Sequence, residues 1–150
     1  MTAAVAACFA LGACGGGQSV ERGEVTKTVR AWTDAMSRAD GPAACGRMTP
    51  GAGRELSVFG QTKGLGTKAP DCPSNVKQMI RKLTPNATRQ MHDADVDTIA
   101  FDGSRAVVHM ADGGPNEVVL VRDGDGWLID HAFAKGWRLT GSPSFGLSGG

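Results

Sequence analysis

Apolar residues recur at two different periods along this chain, and the change of period divides it. Between residues 20 and 39, Val25, Val29, Trp32 and Met36 are spaced four, three and four apart. That spacing draws one stripe on an α-helix, with Arg22, Lys27, Arg30 and Asp34 on its other faces. Trp32 reads as a core anchor. Asp40-Gly41-Pro42 ends this helix and opens another, with Asp40 as N-cap and Pro42 in the first turn. Ala43, Ala44, Cys45 and Met48 make that second helix short, and Thr49-Pro50 breaks it. Leu56 and Phe59, three apart, predict one further helical turn within 51–59. Residues 60–70 hold three glycines and no periodicity, which predicts a surface loop. Asp71 or Ser74 caps the next helix, whose apolar face is Val76, Met79, Ile80 and Leu83. Thr84-Pro85-Asn86 stops it.

The period then falls to two. Val96, Ile99 and Phe101 mark a first strand, closed by Asp102-Gly103. Ala106, Val108 and Met110 alternate with Arg105, Val107 and His109 in a second. Asp112 to Pro115 is a turn, and Glu117 to Val121 a third strand, apolar on both faces. Arg122 to Gly126 is a hairpin loop, and Trp127 and Ile129 alternate with Leu128 and Asp130 in a fourth strand. Short turns between consecutive strands imply an antiparallel meander. Helices first and strands after is an α+β pattern.

Charge and composition remove some functions. The chain has 16 basic and 15 acidic residues, a net charge of +1, and no Lys/Arg cluster of the kind that grips nucleic acid. The glycines of 60–66 do not form a Gly-x-x-x-x-Gly-Lys-Ser/Thr phosphate loop, and no cofactor fingerprint appears elsewhere. No Ser-His-Asp or Gly-x-Ser-x-Gly arrangement is present. His92 sits in a polar stretch beside Asp93 and Asp95 without a second histidine at ligand spacing, so no metal site is expected.

The N-terminus adds a location. Residues 1–13 carry no charge, and the first charged residue is Glu21. A short apolar run ending in small residues reads as a secretory signal, too short to span a bilayer. Leu11-Gly12-Ala13-Cys14 resembles the bacterial lipobox, although the Lys or Arg that usually precedes the apolar run is missing. A plain cleavable signal and an Ala-rich cytosolic N-terminus are the alternatives. The resemblance implies cleavage before Cys14, with a diacylglyceryl group on its thiol. Residues 14–20 would then be a flexible tether holding a domain, 21–139, at the outer face of the cell membrane, with residues 140–150 a frayed tail. With Cys8 in the signal and Cys14 carrying lipid, Cys45 and Cys72 remain as a pair in an oxidising compartment. A disulfide between them would staple the second helix to the helix that follows the loop.

Taken together, these segments resemble the NTF2-like superfamily in the form found in small actinobacterial lipoproteins. The resemblance rests on Val-x-x-x-Val-x-x-Trp-x-x-Ala-Met at 25–36 and Asp-Gly-x-x-x-Cys at 40–45. The strand segments 96–108 and 118–130 complete it. It implies a curved antiparallel sheet wrapped around the helices, a cone with a pocket at its mouth that Trp32, Met36, Val108 and Trp127 would line. Some members of that superfamily are isomerases or dehydratases that use an Asp or His in the cone, and others only bind. His109 alternates with the core face and is expected outside. His131 shares the parity of Trp127 and Ile129 and is expected to point inward, which makes it, with Asp130, the candidate for general acid–base work. The favoured expectation is a non-catalytic lipoprotein that uses no cofactor. It meets the bilayer through the acyl chains on Cys14, and its domain binds an apolar ligand or an envelope protein. A small isomerase- or dehydratase-like enzyme and an accessory subunit of a membrane complex are the alternatives.

Overall fold

The structure, a computed structural model, describes residues 15–138. The segment expected to be a signal, Cys14 with its expected lipid, and the expected tail at 140–150 lie outside the described residues. Among the described residues five helices precede six strands: α1 (Gly15–Ser37), α2 (Gly41–Cys45), α3 (Pro50–Thr62), α4 (Cys72–Lys82) and α5 (Pro85–His92), then β1 (Val96–Asp102), β2 (Arg105–Met110), β3 (Gly114–Pro115), β4 (Glu117–Asp123), β5 (Gly126–His131) and β6 (Trp137–Arg138). The main sheet has the antiparallel order β1-β2-β4-β5, and β3 pairs with β6 in a separate two-stranded ribbon. The architecture is α+β. Among the described residues no helix is long and apolar enough to cross a membrane.

Local signals account for the helix starts. The side chain of Asp40 accepts from the Ala43 amide, as its N-cap position requires. Asp71, not Ser74, caps α4, accepting from the Ser74 amide. Two helices differ from expectation at a Thr-Pro start. Residues 51–59 were expected to hold a single turn, but α3 runs for 13 residues from Pro50. Residues 85–92 were expected to follow a helix stop, yet they form α5. In each case Thr is the N-cap, accepting from the amide three residues on, and Pro occupies the first turn. Thr84-Pro85 thus starts a helix rather than closing one. At the other end, α1 begins at Gly15, so the segment expected as a tether continues the helix. Its turns from Gly17 to Val20 are exposed and lengthen a ladder already nucleated by the buried stripe, where each added residue is cheap.

The segment 63–71 is less of a surface loop than its glycines suggest. Leu65 and Thr67 are buried, and the Thr67 hydroxyl donates to the Ser57 carbonyl at 2.7 Å. A Cβ at Gly60 would lie 2.2 Å from that hydroxyl, so only glycine lets the loop fold back onto α3.

One hydrophobic core joins the helices to one face of the sheet. Val25, Val29, Trp32 and Met36 of α1 meet Ile99, Ala106, Val108, Met110, Val118, Leu120, Trp127 and Ile129. The β5 edge is covered by the turn after α2: the Ile129 amide donates to the Arg47 carbonyl, and the Thr49 amide to the Ile129 carbonyl. Cys45 and Cys72 form a disulfide joining α2 to α4. Beside it, a Cβ on Gly41 would lie 2.3 Å from the Pro73 carbonyl oxygen, so these two helices meet backbone to backbone.

A second tie joins α1 to the start of β1. Arg30 donates to Asp95 at 2.6 Å, and that hydrogen bond, with the Val96 amide and the guanidinium charge, holds the Asp95 carboxyl below its ordinary range. A carboxyl depressed in the folded state contributes stability above the unfolded value, near 4, and loses it as pH falls further. Arg30→Gln is therefore expected to lower the urea midpoint at about pH 5 more than at about pH 3, so that the decline between those two pH values is shallower than in the wild type. Equal loss at both pH values would show that the pair does not contribute through the Asp95 charge.

Candidate functional site

The residue singled out for an inward role, His131, does not point inward. Along β4 and β5, Leu120 pairs with Ile129, but Val119 pairs with His131. One step on β4 spans two on β5, which makes Asp130 the extra residue of a β-bulge. The bulge reverses the alternation. Trp127 and Ile129 stay in the core, and His131 emerges on the outer face opposite Val119, with its side chain 53% exposed.

There it joins a polar cluster. His131 Nε2 lies 3.2 Å from Asp130 Oδ2 and Nδ1 lies 3.5 Å from Glu55 Oε1. The Thr49 hydroxyl donates to Asp130 Oδ1 at 2.9 Å while its oxygen caps α3. Glu55 Oε2 accepts from the amides of Ala132 and Phe133. Both imidazole nitrogens therefore face carboxylates, and neither faces a hydroxyl it could deprotonate. A half-exposed ring in that setting is a brace between α3 and the end of β5. General acid–base chemistry needs a group that meets a substrate in a dry pocket.

The other candidates are also placed. His109 is on the outer face, 4.0 Å from Glu117. Asp34 is paired with Arg38 and lies 3.1 Å from His92, so His92 ties α5 to α1. Among the described residues no group of three or more His, Cys, Asp or Glu side chains could hold a metal. Trp32, Met36, Val108 and Trp127, expected at a pocket mouth, are buried in the continuous core. Trp127 also borders a surface groove of about 280 Å³ with Lys27 and Arg47.

A concavity of ligand size lies elsewhere. Past the bulge, Glu55 pins the backbone at 132–133 against α3, and aromatic packing holds the following turn. Phe133 and Trp137 stack at 5.2 Å with an interplanar angle of 12°. Phe59 of α3 lies against both, at 5.4 and 5.9 Å, and Trp137 Nε1 donates to the Ala132 carbonyl. Between α3 and residues 133–136 this leaves a groove of about 470 Å³ with a mainly apolar lining. Val58, Phe59 and Phe133 supply the apolar surface, and Glu55, Lys63 and Lys135 are the charged residues on its walls. Val58 is 63% exposed, one of the large apolar side chains left in solvent. Lys135 also borders a smaller recess of about 150 Å³ on the outer face, with Arg105, Glu117 and His131 around Val119.

The sequence reading did not reach this groove. The one available signal was Val58, an aliphatic residue off the Leu56–Phe59 stripe of its helix. Glu55 carries no signature, because its role depends on contacts across 77 and 78 positions. No family model, characterised protein or solved structure matches the chain.

Proposed function

We propose that this chain is a lipoprotein, anchored at the outer face of the cell membrane through acyl chains on Cys14. Its α+β body, read as an NTF2-like domain, binds a small apolar ligand without transforming it. The observation that carries the binding is the groove along α3. Its volume, about 470 Å³, falls within the roughly 300–1,000 Å³ of small-molecule sites, and a mainly apolar lining with a few polar groups is the pattern of such sites. Val58 stands exposed on its wall, where burial by a ligand would be favourable.

Native mass spectrometry of the membrane-extracted protein tests this reading. The expected species lacks residues 1–13, carries a diacylglyceryl adduct on Cys14 and retains a small apolar molecule. Val58→Asp is expected to keep the anchor and lose that molecule. Its stability should stay within about 0.5 kcal/mol of the wild type, because the side chain is exposed. A chain that keeps its first thirteen residues would overturn the location. Equal ligand occupancy in Val58→Asp would overturn the site.

A further inference from the structure

We infer that the α3 groove selects a hydrocarbon acid, with its carboxylate drawn to Lys63 and Lys135. The inference rests on the groove being the binding site and adds the chemical class of what it holds. Three charged residues line the groove, Glu55, Lys63 and Lys135. They are not equivalent. Glu55 is already engaged: one carboxylate oxygen accepts from the amides of Ala132 and Phe133, and the other lies 3.5 Å from His131. Its two oxygens are held by partners within the fold. Lys63 and Lys135 have no ion pair among the described residues. Lys63 follows the last turn of α3, and Lys135 lies in the facing turn, so the two cations come from opposite sides of an apolar trough. Two lysines against one carboxylate give the groove lining a net positive formal charge beside the apolar Val58, Phe59 and Phe133.

An alkyl chain with one carboxylate satisfies both parts. Its chain buries against the apolar surface, and its head stays at the solvent-facing rim, where lysine ammonium groups remain hydrated on flexible stems. A neutral alcohol of the same length would gain the burial and not the attraction. The outer recess around Val119 also borders Lys135 and holds Arg105, but its smaller volume, about 150 Å³, gives an alkyl chain less room.

The test is displacement of a neutral fluorophore, N-phenyl-1-naphthylamine, from the purified folded chain by decanoate or by 1-decanol. Decanoate is expected to compete about three- to tenfold better than decanol at low salt, the range that two exposed charge contacts provide, with the preference shrinking as salt is raised. In Lys63→Gln/Lys135→Gln the preference should vanish while decanol competes as before. Arg105→Gln should leave the preference intact. Equal competition by acid and alcohol in the wild type would overturn the acid and leave the groove standing. Loss of the preference in Arg105→Gln would move the carboxylate to the outer recess and overturn its placement. A fluorophore that does not bind, or binds Val58→Asp equally well, would overturn the groove itself.

Discussion

Trp32→Ala is expected to lower the unfolding free energy by about 3–5 kcal/mol, the range for removing a large aromatic side chain from a core. Trp32 is fully buried and is the point where α1 meets the turn after β5. Its ring meets the edge of Phe133 at 6.1 Å and of Trp137 at 6.2 Å, with interplanar angles of 77° and 67°. Those two rings and Phe59 shape the groove, so the same substitution should also weaken fluorophore binding. Trp32→Phe separates volume from polarity. Among the described residues the indole Nε1 of Trp32 has no hydrogen-bond partner, and an unmet buried donor costs about 1–3 kcal/mol. Phenylalanine gives up part of the ring but also removes that donor, so its loss should be much smaller than that of alanine. Urea unfolding of the three proteins checks this order. An alanine variant as stable as the wild type would mean that the aromatic cluster does not organise the core.

Reducing the Cys45–Cys72 bridge is expected to cost about 3–4 kcal/mol. The bonded residues are 27 apart in sequence, and in the chain-entropy model a loop of that length loses about that much freedom in the unfolded state. The bridge joins two short elements, α2 and α4, that otherwise rely on the close approach of Gly41 to Pro73. Oxidised and reduced protein compared in urea, together with Cys45→Ala/Cys72→Ala, give the measurement. The double variant should fall to the reduced wild type or slightly below it, because it loses the cross-link and also the two sulfur atoms that pack against the core. A midpoint unchanged by reduction would show that the unfolded chain is already confined by other means.

How far these features could be read in advance depends on how local they are. The stripe of Val25, Val29, Trp32 and Met36 and the alternation of Ala106, Val108 and Met110 both appear in the core, because each pattern repeats what one element must bury. The cap at Asp40 was legible for the same reason: its partner, Ala43, is three residues away; at α4 the sequence offered Asp71 or Ser74, and the structure has Asp71 accepting from the Ser74 amide. Thr84-Pro85 was ambiguous, since a proline that forbids a preceding helix also suits the first turn of a new one. Parity along β5 failed at His131, because a bulge is a mismatch between two strands and leaves no mark in either strand alone.

The amino-acid order by itself therefore settled the class of fold, the start of α2 and the buried faces of α1, α4 and β2. Backbone propensity, capping and hydrophobic period act over a few residues, and they are written wherever those residues lie. Only the folded chain decided that His131 would be turned out by Asp130, that Glu55 would clasp the amides of residues 132–133, and that Val58 would be left on the wall of a groove. Each of those outcomes comes from surfaces brought together across many tens of residues, where the relative placement of elements, and no single element's pattern, sets what is exposed.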